Sequence, residues 1–183
     1  LVGTSLMKQL QKQFSTLVIE RNLKINLIGV INSRKMVMQK KGIPLDNYRE
    51  VLKASEEKGD ISVFIQQMTK LNLRNSVFID CTADENVASK YGDILSRYVS
   101  IVTANKIACS SEQKYYQQLR SIANERGVRF MYETTVGAGL PIIRTISDLV
   151  LSGDKILKIE AVLSGTMNFI FDELGPEMPL SSA

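Results

Sequence analysis

Apolar positions recur every three or four residues between Thr4 and Leu17, at Leu6, Leu10, Phe14 and Leu17, which is the spacing of one buried helix face. The apolar run KINLIGVI, Lys24 to Ile31, then predicts a buried strand. A polar, lysine-rich stretch broken at Pro44 and Gly59 leads to a second helix over Ile61 to Leu71. SVFIDC, Ser76 to Cys81, has the length and composition of a strand ending at a turn. DENVASKYGDILSRY is amphipathic with acids in its first turn, as suits a helix N-terminus. YVSIVTA, Tyr98 to Ala104, predicts the next strand. Ser110 with Gln113 fits a capping box opening a helix to about Glu125, and VRFMYE supplies another strand after Gly127.

Strands alternating with helices require crossover connections, so the pattern predicts an α/β protein with a doubly wound parallel sheet and helices on both faces. After Glu133 the rhythm changes to a Gly-rich turn, a helix from about Leu140 to Leu151, a strand KILKIEAVLSG (Lys155 to Gly165) and a helix starting near Thr166. This divides the chain into residues 1–136 and residues 137–183, the second stretch being the beginning of an α+β domain. Both ends look cut. Leu1-Val2-Gly3 passes at once into a helix, where an open α/β sheet would first have a strand and a glycine turn.

Composition narrows the chemistry. With 183 residues and 44% hydrophobic content the chain can bury a core. No run reaches the roughly 18 apolar residues of a membrane span, and LVGTSLMKQLQKQ lacks the basic and apolar regions of a signal peptide. The expected compartment is the cytoplasm, with no membrane partner. The net charge of +4 is modest and its basic residues are scattered, which argues against nucleic acid as a partner. Histidine is absent, excluding within these residues a Ser-His-Asp triad, a Cys-His pair and a His-ligated zinc. Cys81 and Cys109 are expected as reduced, buried thiols.

Four places carry candidate chemistry. The second strand ends in Asn32-Ser33-Arg34-Lys35, where an NAD-specific site would place an acid on the ribose. An amide, a hydroxyl and a guanidinium can instead receive a 2′-phosphate, so NADP is preferred over NAD, and a solvated strand exit is the alternative. TANK, Thr103 to Lys106, follows a strand that should end at the carboxyl edge of the sheet, the usual rim for ligands. Lys106 there can bond a cofactor ribose or a substrate oxygen, or it can be simply solvated. Gly165 and Thr166 stand where a strand meets a helix. They suit either a small carboxylate or ordinary N-capping by Thr166. In TTVGAGLPIIRT, Gly137 and Gly139 permit backbone shapes closed to other residues and Pro141 suits a first helical turn, as an interdomain turn also would.

Taken together, DCTAD (Asp80 to Asp84), TANK, YETTVGAGLPII (Tyr132 to Ile143) and LSGTMNFIF (Leu163 to Phe171), in that order, resemble homoserine dehydrogenase, most of all the form fused behind an aspartate kinase. The similarity runs over essentially the whole chain. It implies a Rossmann-like cofactor domain, a homodimer or larger homo-oligomer, and the NADP- or NAD-dependent interconversion of L-homoserine and L-aspartate 4-semialdehyde. By the same resemblance Val2 and Gly3 belong to the dinucleotide turn, Asn32, Ser33 and Arg34 face the adenosine ribose, and Thr82, Ala83 and Lys106 line the nicotinamide side. Gly165 and Thr166 contact the substrate. The glycine turn binds a monovalent cation, sodium, through the side chain of Glu133 and the carbonyls of Val136, Ala138 and Leu140, locking the hinge between domains.

The family's substrate glutamate and its catalytic aspartate and lysine lie downstream of the SGT block, beyond MPLSSA. The 183 residues alone are therefore expected to be inactive. Two other readings remain open: a reductase of another small aldehyde, and a non-catalytic, dimerising NADP-binding module.

Overall fold

The computed structural model describes residues 1–162 and 164–174. Two compact units divide at Met131 and Tyr132. The first opens with helix α1, Val2–Arg21, whose half-buried side chains include Leu6, Leu10, Phe14 and Leu17, the face the spacing predicted. Asn22 ends it in a left-handed conformation, φ 49°, one that asparagine tolerates better than most residues.

Strand β1 is only Gly29–Ile31, shorter than the expected Lys24 to Ile31. It turns through Asn32 to Lys35 and pairs antiparallel with β2, Met36–Met38, with Val30 opposite Val37. This hairpin was not foreseen. Its turn is held by the Asn32 side chain, whose Oδ1 accepts the N–H groups of Arg34 and Lys35, both at 2.8 Å. Gly59 packs against the same turn, where a Cβ would collide with the Asn32 carbonyl. Helix α2, Tyr48–Ala54, follows, then α3, Ile61–Leu71, which matches its expected span. Asp60 caps α3, its Oδ1 accepting from Ser62 N and Val63 N.

The expected parallel sheet is present. Strands β3 (Val77–Asp80), β4 (Ser100–Thr103) and β5 (Phe130–Met131) lie in that order, with Asp80 beside Thr103 and Ile101 beside Phe130. The single helix expected over DENVASKYGDILSRY is two, α4 (Glu85–Ala88) and α5 (Tyr91–Ser96), the second placing Tyr91, Ile94 and Leu95 in the core. Ile101 of β4 and Leu119 of α7 (Gln113–Arg126) complete its fully buried centre. Tyr91 also meets Phe130 edge to face, with ring centroids 5.9 Å apart.

One local expectation fails, and one face of the sheet is less covered than the pattern suggests. Ser110 is not the cap of α7: it ends a short helix α6, Ile107–Ser110, and donates its hydroxyl to the Lys106 carbonyl, leaving Glu112 at the N-cap position with no side-chain cap bond. Helices on both sheet faces were also expected. Here Phe78, Asp80, Ile101 and Thr103 point into the core, while Val77 and Ile79 on the opposite face remain 51% and 43% exposed.

The second unit begins with a 3-10 turn, Glu133–Thr135, and continues through α8, Ile142–Leu151, and α9, Gly165–Glu173. KILKIEAVLSG does not form the expected strand: Lys155 to Val162 are without regular structure, and Leu157 and Val162 are exposed. Alternating apolar residues need a paired neighbour to become a strand, and none of the described residues supplies it. Leu163 of the LSGTMNFIF block and the closing MPLSSA stretch lie outside the described residues. None of the described helices is long and apolar enough to cross a membrane.

Candidate functional site

The carboxyl ends of β3 and β4 lie side by side because their register aligns Asp80 with Thr103. Each strand exits into one of the loops singled out in the sequence, DCTAD and TANK. Beneath them sits a buried polar cluster. Asp80, Thr103 and Asn105 are each 2% exposed or less, and Tyr91 is fully buried.

Tyr91 must donate its single proton to Asp80 Oδ2, 2.6 Å away, since a carboxylate has none to give. The Thr103 hydroxyl then donates to the Tyr91 oxygen at 2.7 Å and accepts the Asn105 N–H at 2.9 Å. Asn105 Nδ2 reaches Asp80 Oδ2 at 3.1 Å and the Asp84 carbonyl at 3.0 Å. Its Oδ1 accepts from Ile107 N at 3.1 Å. Asp80 Oδ1 takes the Thr82 N–H at 2.7 Å. Among the described residues no buried side-chain polar atom lacks a partner.

The cluster marks its neighbours electrostatically. Burial, followed by the bond to Asp80, pushes the Tyr91 hydroxyl far above the usual tyrosine value, so it remains a donor. Burial and then the Asp80 charge push the Cys81 thiol up as well. That keeps Cys81 protonated and disfavours a nucleophilic role. Neither cysteine is in a disulfide, as expected of reduced thiols, though both are half-buried instead of fully buried.

Above the cluster, Thr82, Ala83 and Lys106 are exposed, Lys106 occupying the N-cap position of α6. The first turn of α1 arrives at the same edge: a Cβ on Gly3 would stand 3.5 Å from Cys81 Cβ. That turn contains no acidic residue of its own, so no side chain of the turn offsets its free N–H groups and the positive end of the helix dipole. Arg49 of α2, not singled out in the sequence, bonds Thr4 Oγ1 at 3.2 Å and adds a guanidinium beside that turn. Ser33 and Arg34 stand exposed at the tip of the β1–β2 hairpin, while the Asn32 oxygen is occupied in shaping the turn. A cavity of about 480 Å³ lies elsewhere, between α1 and the loop at Pro44, and contains none of these residues.

In the second unit Glu133 turns its carboxylate onto α8, accepting from Ile143 N at 3.0 Å and Arg144 N at 2.8 Å. Gly137 and Ala138 both have positive φ, 68° and 52°. The Leu140 carbonyl accepts from Ile142 N at 2.9 Å. At α9 the capping alternative for Thr166 is corrected: Ser164 is the cap, accepting from Met167 N at 3.3 Å, and Gly165 and Thr166 form the exposed first turn. Ser164 precedes the first helical residue by one and so places its hydroxyl nearer the free N–H groups.

Parallel strands ending at one rim, a helix opening against that rim and an exposed lysine at its lip define a nucleotide-binding α/β protein. The family models sharpen this: residues 1–133 match the NAD-binding domain of homoserine dehydrogenase, and residues 141–183 match homoserine dehydrogenase itself. The chain belongs to the homoserine dehydrogenase family. It is 40% identical over 94% of its length to a chloroplastic bifunctional aspartokinase/homoserine dehydrogenase of Arabidopsis thaliana. It is 34% identical over 98% to the bifunctional enzyme of Haemophilus influenzae. It spans 19% and 22% of those two relatives.

Among solved structures, a Candida auris protein of unknown function superposes with a TM-score of 0.71 at 28% identity, over 90% of this chain and 48% of that one. A hyperthermophilic archaeal homoserine dehydrogenase in complex with NADPH superposes with a TM-score of 0.60 at 21% identity, over 79% and 44%, a likeness of fold.

Proposed function

We propose that the polypeptide containing this chain interconverts L-homoserine and L-aspartate 4-semialdehyde with NADP(H). The observation that carries this reading is the shared rim, where the ends of β3 and β4 present Thr82, Ala83 and Lys106 beside the opening turn of α1. The nicotinamide supplies the hydride chemistry when bound. This chain's residues bind and orient. The first turn of α1 at Val2 and Gly3 offers N–H groups to a pyrophosphate, and Arg34 with Ser33 receives a ribose 2′-phosphate. Lys106 supplies positive charge to the substrate oxygen as hydride leaves or arrives at the neighbouring carbon. Gly165 and Thr166, in the first turn of α9, offer N–H groups to the substrate carboxylate.

A sodium ion fits the glycine turn through the donor set Glu133, Val136, Ala138 and Leu140, all hard oxygens. The Glu133 and Leu140 oxygens already accept backbone N–H groups, but each retains a second lone pair for a cation. The active form is a homodimer. A substrate panel on the full-length polypeptide tests the activity. NADP-dependent oxidation of L-homoserine should exceed that of other short alcohols, and equal or greater turnover of an unrelated alcohol would transfer the assignment to another reductase.

A further inference from the structure

We infer that Asn105, braced by Asp80, Tyr91 and Thr103, is a positioning residue that holds the two rim loops together and so sets where Lys106 and Thr82 stand. The inference rests on the functional reading above. Its basis is the number and direction of the bonds Asn105 makes.

Its amide hydrogens bond Asp80 on β3 and the Asp84 carbonyl at the far end of the DCTAD loop. Its carbonyl oxygen accepts from Ile107, one residue past Lys106, and its own N–H is taken by Thr103, two residues before. Lys106 is thus flanked on both sides by fixed backbone. Asp80 completes the link by accepting the Thr82 N–H, so both loops hang from one carboxylate.

Such a cluster is costly to bury, because each polar group must be fully bonded to offset its lost hydration. An apolar cluster of the same volume would pack the strand ends without it. What the polar version adds is direction. Each loop is held at a defined angle rather than merely kept in contact, and ligand groups on such loops lose rate steeply when displaced. Tyr91 extends the restraint into the core, since its ring packs on Phe130 while its hydroxyl holds Asp80 and Thr103.

The test is a double-mutant cycle between Asn105→Ala and Lys106→Ala in the full-length polypeptide, read as kcat/KM for L-homoserine and as direct NADPH binding. Asn105→Ala alone should lower kcat/KM by about 100-fold, the loss associated with a misplacement of about 1 Å. Adding Lys106→Ala to that variant should then cost far less than it costs the wild type. A merely structural Asn105 would lower the melting temperature or the folded yield while the two kinetic losses multiplied, and that result overturns the inference. If Asn105→Ala does not fold, Tyr91→Phe keeps the ring and removes only the hydroxyl, and it must show the same non-additivity with Lys106→Ala on a smaller scale. Wild-type protein that binds NADPH without oxidising L-homoserine would refute the functional reading instead. In that case NADPH binding unchanged in Asn105→Ala would also overturn the inference, and binding weakened in a folded variant would support it.

Discussion

Lys106 and Asn105 are adjacent in the chain and were not equally visible in it. A lysine after a predicted strand, on the rim where ligands gather, can be singled out from local spacing, and the structure leaves Lys106 exposed at that rim. Asn105 acquires its role only by meeting Asp80, 25 positions away, and no local pattern encodes that meeting. The Glu133 carboxylate, proposed as a cation ligand, also accepts the first-turn N–H groups of Ile143 and Arg144 in α8, a contact no local spacing announces. Arg34 belongs to the legible set, and its exposed position on the hairpin tip carries a prediction. Arg34→Ala should raise KM for NADPH by about tenfold or more, the scale of a lost charge-assisted contact, with KM for NADH nearly unchanged. Paired steady-state kinetics would decide it, and equal losses with both cofactors would remove Arg34 from the phosphate site.

At the scale of elements, periodicity found what depends on a single face. Helices α1 and α3 and strands β3 and β4 follow the apolar spacing of their own residues, because each buries one stripe or one alternating set. It missed β2, where three residues, Met36–Met38, are strand only because a turn folds them onto β1. It over-read KILKIEAVLSG for the complementary reason, since alternation without a partner does not make a strand.

Two elements carry predictions of their own. The Tyr91 hydroxyl on α5 titrates well above its unfolded value, so the native state holds a proton that the unfolded chain releases from about pH 10 upward. Folding stability should be unaffected by Tyr91 below that pH. Above it, stability should fall by at most about 1.4 kcal/mol per pH unit for this one proton. Tyr91→Phe should flatten that alkaline slope in chemical denaturation, and an unchanged slope would contradict the assignment. For α8, Glu133→Ala should cost about 1 kcal/mol or more through the lost bonds to Ile143 N and Arg144 N. The proposed sodium site predicts that added sodium raises the melting temperature of the wild type and leaves the variant unmoved, and equal shifts in both would remove the ion from Glu133.

For the whole molecule, the α/β class and the parallel sheet were readable from the alternation of elements, and the motifs quoted in order pointed to the family that the family models then matched. The exposed second face of the sheet was not readable, since periodicity shows that a face is apolar but not what covers it. Spanning about one fifth of its bifunctional relatives, this chain matches the family's NAD-binding domain over residues 1–133 and the homoserine dehydrogenase model over residues 141–183. The central claim is that this rim serves hydride transfer between a nicotinamide and a short amino-acid alcohol, given up by the alcohol and accepted by its aldehyde. The most direct measurement is NADPH formation by the full-length polypeptide with L-homoserine and NADP, in the wild type and in Lys106→Ala. The account predicts turnover in the first and a loss of at least about 100-fold in the second. Tight NADPH binding with no turnover of L-homoserine in the wild type would contradict it.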